Sequence, residues 1–117
     1  MTNNTMLIVD DSKLTRAILS RFIQEHQPSW CILEAEDSGQ ALEVANGKQI
    51  EWITVDYNMP GMNGISLAKL LIKSHPEAKI TLLTGSIDSS TYDKAKALKL
   101  NVIEKPVTEQ KIKALIT

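Results

Sequence analysis

Five side chains in this 117-residue sequence stand where an apolar run gives way to polar residues, and their chemistries complement one another. Met6-Leu7-Ile8-Val9 stops at Asp10-Asp11, and Trp52-Ile53-Thr54-Val55 stops at Asp56. Lys79-Ile80-Thr81-Leu82-Leu83 ends at Thr84-Gly85, and Val102-Ile103 ends at Glu104-Lys105-Pro106. If these runs are strands of one parallel sheet, their carboxyl ends open on the same edge. Three carboxylates, a hydroxyl and an amine then converge there. Crowded carboxylates repel, and a hard divalent cation with oxygen ligands relieves them. Mg²⁺ suits this role, because it takes one or two carboxylates and keeps coordination for a phosphate oxygen. Cysteine and histidine are poorly placed for zinc. Mg²⁺, an ammonium and a hydroxyl around one carboxylate make a phosphoryl-transfer site, with the carboxylate as nucleophile and an acyl phosphate as product.

The intervening segments must position these groups. Leu14, Ala17, Ile18 and Phe22 repeat at helical spacing after a cap at Ser12 or Asp11, and Pro28 closes that region. Trp30-Cys31-Ile32-Leu33 reads as another strand. Asp37 and Gln40 have capping-box spacing ahead of Ala41, Leu42 and Ala45, with Asn46-Gly47 as the stop. Pro60, Gly61 and Gly64 punctuate the loop after Asp56. Ile65, Leu67, Ala68, Leu71 and Ile72 form a helix closed by His75-Pro76. Ser86 to Ser90 is a polar loop supplying caps for a helix with Tyr92, Ala95 and Leu98 inward. Thr108 caps a last helix carrying Ile112, Leu115 and Ile116. Five β units alternating with five α units predict a doubly wound α/β fold, with a parallel sheet covered by helices on both faces.

Composition fits a single domain over 1–117 with no output domain attached. The hydrophobic fraction is 43%, the charged fraction 23% and the net charge −1, so nothing asks for nucleic acid. No apolar run approaches the roughly 20 residues that span a bilayer, and no basic leader precedes the first run. A single cysteine excludes an internal disulfide and fits a reducing compartment, so a cytoplasmic location is expected.

Several stretches together resemble the response-regulator receiver domain, and the chain is close in size to the single-domain chemotaxis regulators. They are Val9-Asp10-Asp11-Ser12 with Arg16, Glu34 to Gly39 with Ala41-Leu42, Asp56 with Met59-Pro60-Gly61-Met62-Asn63-Gly64, Thr84-Gly85, and Lys105-Pro106. The resemblance covers essentially the whole chain. It implies a (βα)5 fold with strand order 2-1-3-4-5 and a phosphoacceptor switch of a two-component phosphorelay. It implies Asp56 as acceptor, with Mg²⁺ held by Asp10, Asp11, Asp56 and the backbone carbonyl of Asn58. Thr84 and Lys105 would meet phosphoryl oxygens. The donor would be a sensor histidine kinase or a histidine phosphotransfer protein. A downstream protein would read the surface of the fourth helix, fifth strand and fifth helix of a monomer or weak dimer. Asn58 and Ser86 would tune the lifetime of the phosphoryl group.

Two departures from the family pattern bear on output. Val102 stands where receivers carry an aromatic residue, three positions before the lysine. Ala97 to Val102 lacks the usual glycine and is shortened by a few residues. Asn63 replaces a common Asp outside the metal site. Two other readings compete. A metal-dependent aspartyl phosphohydrolase would want an acid/base Asp at position 58, where Asn58 cannot serve. An interaction module could keep the fold without the chemistry, but the complete rim argues against that. Plainer readings cover the remaining residues: Trp30 and Trp52 as packing, Cys31 as an inert buried thiol, Tyr57 as a rim residue, and His26 and His75 as helix-end residues rather than relay histidines. Lys94, Lys96, Lys99, Lys111 and Lys113 read as a solvated basic face.

Overall fold

The computed structural model describes residues 4–85 and 88–117. In chain order the elements are β1 (Thr5–Val9), α1 (Lys13–His26), β2 (Cys31–Ala35), α2 (Ser38–Ala45), β3 (Trp52–Asp56), α3 (Gly64–Ser74), β4 (Lys79–Thr84), α4 (Ser89–Ala97), β5 (Asn101–Glu104) and α5 (Glu109–Ile116). The strands form one parallel sheet in the order β2-β1-β3-β4-β5, as the resemblance implies. No helix among the described residues is long and apolar enough to cross a membrane.

Alternation along the strands divides the core in two. Leu7, Val9, Ile53, Val55, Ile80 and Leu82 pack with α2 and α3 on one face. Met6, Ile8 and Leu83 pack with Leu19, Ile23, Ile112 and Ile116 of α1 and α5 on the other. Both faces of β1 and β3 are therefore buried, which is why these strands read as unbroken apolar runs.

Each helix begins on a side-chain cap of the expected kind. Ser12 Oγ accepts from the Thr15 amide, Asp37 Oδ1 from Gln40, Asn63 Oδ1 from Ser66, Asp88 Oδ1 from Thr91, and Thr108 Oγ1 from Lys111. Asn63 thus has a structural task as the cap of α3. The bond from Thr91 also holds the Asp88 carboxyl below its ordinary range. The box at α2 is offset by one residue: Gln40 Oε1 accepts from the Glu36 amide, not from that of Asp37.

Three expectations are corrected. In α1 the buried residues are Leu19 and Ile23, whereas Leu14 is 71% and Ile18 41% exposed. The inward stripe is rotated by one residue, because the face that matters is the one α5 covers. In α4, Tyr92 is 46% exposed and Thr91 takes its place beside Ala95. Cys31 is exposed, since β2 is an edge strand and this residue begins it. The packing role expected of the tryptophans holds. Trp30 stacks on Trp52 with ring centroids 5.5 Å apart, and the Lys79 ammonium lies 4.7 Å from the Trp52 ring centroid. His75 is bound by Ser74 Oγ at 2.7 Å and by the Lys48 carbonyl at 2.8 Å, joining the end of α3 to the loop after α2.

The missing glycine before β5 has a visible cost. Lys99 occupies the left-handed region at φ 60°. The Lys99 amide donates to the Lys96 carbonyl at 3.0 Å and the Leu100 amide to the Ala95 carbonyl at 2.9 Å. That is a Schellman closure of α4 with a Cβ where glycine normally sits. A left-handed non-glycine costs about 1–2 kcal/mol, partly offset by glycine's greater chain entropy. Lys99→Gly is therefore expected to stabilise the fold by about 0.5–1 kcal/mol. Urea unfolding should show a higher midpoint at unchanged slope.

Candidate functional site

The sheet fixes the rim by carrying its ladder just past the strand ends. The Asp10 amide donates to the Ala35 carbonyl at 3.0 Å, the Tyr57 amide to Leu83 at 2.8 Å and the Lys105 amide to Thr84 at 2.7 Å. The residues that leave the sheet are thus still held by it. Asp56 pairs in register with Leu83, so Thr84 lies one residue beyond Asp56 on the neighbouring strand.

Asp10, Asp11 and Asp56 come together, with one carboxylate oxygen from each lying within 4.8 Å of the others. Asp10 and Asp56 are buried and Asp11 is exposed. The Lys105 ammonium stands 2.9 Å from Asp56 Oδ1 and 3.8 Å from Asp10 Oδ2. The Lys105–Pro106 peptide is cis. Thr84 is buried at the end of β4, and Asn58 is exposed two residues past Asp56. Ser86 lies outside the described residues.

The loop after Asp56 returns tightly on itself. The Gly64 amide donates to the Tyr57 carbonyl at 2.9 Å. A Cβ on Gly64 would lie 2.7 Å from the Asp56 carbonyl oxygen and 2.8 Å from Tyr57 Cα, both backbone atoms. Glycine here lets α3 start directly against the peptide that carries Asp56.

Burial raises the Asp10 pKa above its ordinary 3.8. The Asp56 charge pushes the same way, while the Ser12 amide, 2.8 Å from Oδ1, and the Lys105 ammonium oppose it. Asp10 Oδ2 is buried without a hydrogen-bond partner among the described residues. An orphaned, buried carboxylate oxygen facing two other carboxylates fits a hard cation with oxygen ligands.

Arg16 belongs to the matching stretches, but its residue type and position alone assign it no task. Its guanidinium donates from Nη1 to the Asp10 carbonyl at 2.7 Å and from Nε to Glu34 Oε1 at 3.0 Å. It therefore anchors the backbone of Asp10 to the end of β2. The available signal was its place four residues after Ser12, on the first turn of a helix that begins at the rim.

The family model described as the response regulator receiver domain matches residues 6–117, so the chain belongs to the response-regulator receiver family, the phosphoacceptor signalling switches of two-component systems. Among relatives, it is 37% identical over 79 residues to a protein-glutamate methylesterase/protein-glutamine glutaminase 2 of Vibrio vulnificus, covering 68% of this chain and 23% of that protein. The chain thus spans about a quarter of that relative's length. Among solved structures, the chemotaxis protein CheY4 of Vibrio cholerae superposes with a TM-score of 0.89 at 24% identity, covering 98% of this chain and 97% of that one. A response regulator protein from Burkholderia pseudomallei, with a phosphorylated aspartic acid, calcium ion and citrate, superposes with a TM-score of 0.87 at 27% identity, covering 98% and 67%.

Asp10→Asn keeps an acceptor for the Ser12 amide and removes one buried charge. Without metal, this variant is expected to be more stable than the wild type at neutral pH. The advantage should shrink as pH falls through the raised range of Asp10, because the wild-type carboxyl then becomes neutral as well. Added Mg²⁺ should raise the melting temperature of the wild type and leave the variant nearly unmoved. Thermal melts at several pH values, with and without Mg²⁺, check all three outcomes.

Proposed function

We propose that Asp56 is the residue that accepts the phosphoryl group. The observation that carries this is the Lys105 ammonium 2.9 Å from Asp56 Oδ1, with the carboxylates of Asp10 and Asp11 gathered beside it. The carboxylates of Asp10, Asp11 and Asp56, with the Asn58 carbonyl, would hold Mg²⁺. When bound, the ion would neutralise charge on the transferring group. Asp56 supplies the attacking oxygen. With a phosphohistidine donor the new bond joins that oxygen to phosphorus, the phosphorus–nitrogen bond breaks, and the imidazole keeps the electron pair and takes up a proton. Lys105 is placed to pair with a phosphoryl oxygen, and Thr84 to bond another. Catalysis is confined to the protein's own phosphorylation and dephosphorylation. The phosphorylated aspartic acid of the Burkholderia pseudomallei relative supports this reading.

The donor, a sensor histidine kinase or a histidine phosphotransfer protein, must bring its phosphohistidine to this rim. Leu14 and Ile18 lie exposed on the first turns of α1. Beside them Thr15, Ile18, Leu19, Lys105, Pro106 and Val107 line a groove of about 220 Å³. This apolar surface adjoining Lys105 is the contact face for the donor. A downstream protein would read the surface of α4, β5 and α5, where Tyr92 is exposed.

Incubation with acetyl phosphate and Mg²⁺ should place about one hydroxylamine-labile phosphoryl group per chain on the wild type and none on Asp56→Asn, because an amide is no nucleophile here. Absence of uptake by the wild type, or uptake by the variant, would sink the assignment. Leu14→Ser is expected to slow uptake from a phosphohistidine donor about tenfold, the worth of burying part of a leucine, while uptake from acetyl phosphate stays unchanged.

A further inference from the structure

From its sequence position Lys111 belongs to a solvated basic face. Its ammonium is instead turned back onto the main chain beside Lys105. It donates to the Glu104 carbonyl at 2.7 Å and to the Pro106 carbonyl at 3.1 Å, the two carbonyls that bracket Lys105. We propose that Lys111 is a positioning residue that fixes the backbone from which Lys105 reaches Asp56. The proposal rests on the reading of Asp56 and Lys105 given above.

The geometry of the peptide unit carries the argument. Lys105 lies just past β5, which is an edge strand of the sheet. The Lys105 amide donates inward to the Thr84 carbonyl at 2.7 Å. In a trans peptide the carbonyl points opposite to the N–H, so the Glu104 carbonyl of the same unit faces the open edge. No further strand covers that edge among the described residues. Lys111 Nζ supplies the missing partner, and the unit is then held from both sides. Beyond Lys105, Pro106 has no N–H to give, so its carbonyl is the group by which this turn can be fastened. Lys111 takes that carbonyl too.

The consequence is for placement rather than chemistry. A lysine side chain has four rotatable bonds, and the Lys105 ammonium must lie between Asp56 at 2.9 Å and Asp10 at 3.8 Å. An unfastened origin spreads that position, and misplacement of about 1 Å can cost a transfer reaction up to about a hundredfold. Lys111 touches neither carboxylate, so it acts through Lys105. Its own anchorage is the first turn of α5, where Thr108 caps the helix by accepting from the Lys111 amide at 3.2 Å.

The test compares Lys111→Met, Lys111→Arg and Lys113→Met with the wild type, in full-length protein with acetyl phosphate and Mg²⁺. Lys111→Met should take up phosphoryl about 3- to 10-fold more slowly, with Mg²⁺ affinity unchanged. Lys111→Arg should recover most of the rate, because a guanidinium can also donate to two carbonyls. Lys113→Met removes the same charge two residues on and should match the wild type. Independently of phosphorylation, amide exchange at Lys105 should be about tenfold faster in Lys111→Met, since one side of its peptide is released. Equal slowing by both methionine variants would make the effect one of net charge and overturn the proposal. Unchanged amide exchange at Lys105, or failure of arginine to restore the rate, would also overturn it. A wild type that accepts no phosphoryl group would instead refute the assignment of Asp56, while the exchange measurement would still decide the part played by Lys111.

Discussion

Mutual repulsion among Asp10, Asp11 and Asp56 is the constraint on which this rim is built. Carboxylates with oxygens within 4.8 Å of one another, two of them buried, oppose folding unless the backbone beneath them is held firmly. The sheet does that holding. Last ladder bonds fasten Asp10, Tyr57 and Lys105, Arg16 grips the Asp10 carbonyl, and Gly64 lets α3 press against the peptide of Asp56. Among the described residues only one positive group, Lys105, reaches two of the three carboxylates. The rim therefore remains short of positive charge, and a site short of positive charge attracts a cation.

The two core clusters divide the labour around this rim. Asp10, Asp56 and Lys105 continue the alternation of the strand face covered by α1 and α5, as Ile8 and Ile103 show for β1 and β5. Their immediate surroundings are therefore α1 and the turn into α5. Thr84 continues the alternation of Ile80 and Leu82, which face the other cluster. The phosphoryl chemistry proposed at Asp56 would thus have groups on both sides of the sheet: Lys105 toward α5 and Thr84 toward α4. A partner reading α4, β5 and α5 together would sample both.

Most of this arrangement is legible in the amino-acid sequence, for a physical reason. Strand ends are marked by an abrupt change from buried apolar to polar residues, and the doubly wound topology then brings those ends to one edge. Asp10, Asp11, Asp56, Thr84 and Lys105 could be located on that basis. The phase of α1 could not. Leu14 and Ile18 have helical spacing, as do Leu19 and Ile23, and only the position of α5 decides which pair is covered. Cys31 looked buried because it lies in an apolar run, but the run belongs to an edge strand. The tasks of Arg16 and Lys111 were hidden for another reason. Both act on carbonyl oxygens, which every residue carries, so no residue type at the receiving end announces the contact.

Output from such a rim needs an element with two arrangements, and packing differs sharply among the helices in this respect. α3 buries Gly64, Ile65, Leu67, Ala68 and Leu71, whereas each of the other helices buries two residues, in α4 the small Thr91 and Ala95. Two residues past the end of α4, Lys99 is held left-handed at a conformational cost that the closing bonds of the helix offset. Small buried side chains and a strained closure together bring α4 nearer the threshold of rearrangement than α3. Val102, half-buried beside Leu82, offers less bulk than an aromatic ring to report a movement of Thr84. The hydrogen-bonded line from the Thr84 carbonyl through the Glu104–Lys105 peptide to Lys111 gives the rim a second connection, made by main chain rather than by ring rotation. A signal carried that way would be felt first at the start of α5. Loosening the end of α4 or releasing Lys111 would therefore disturb different halves of the same surface.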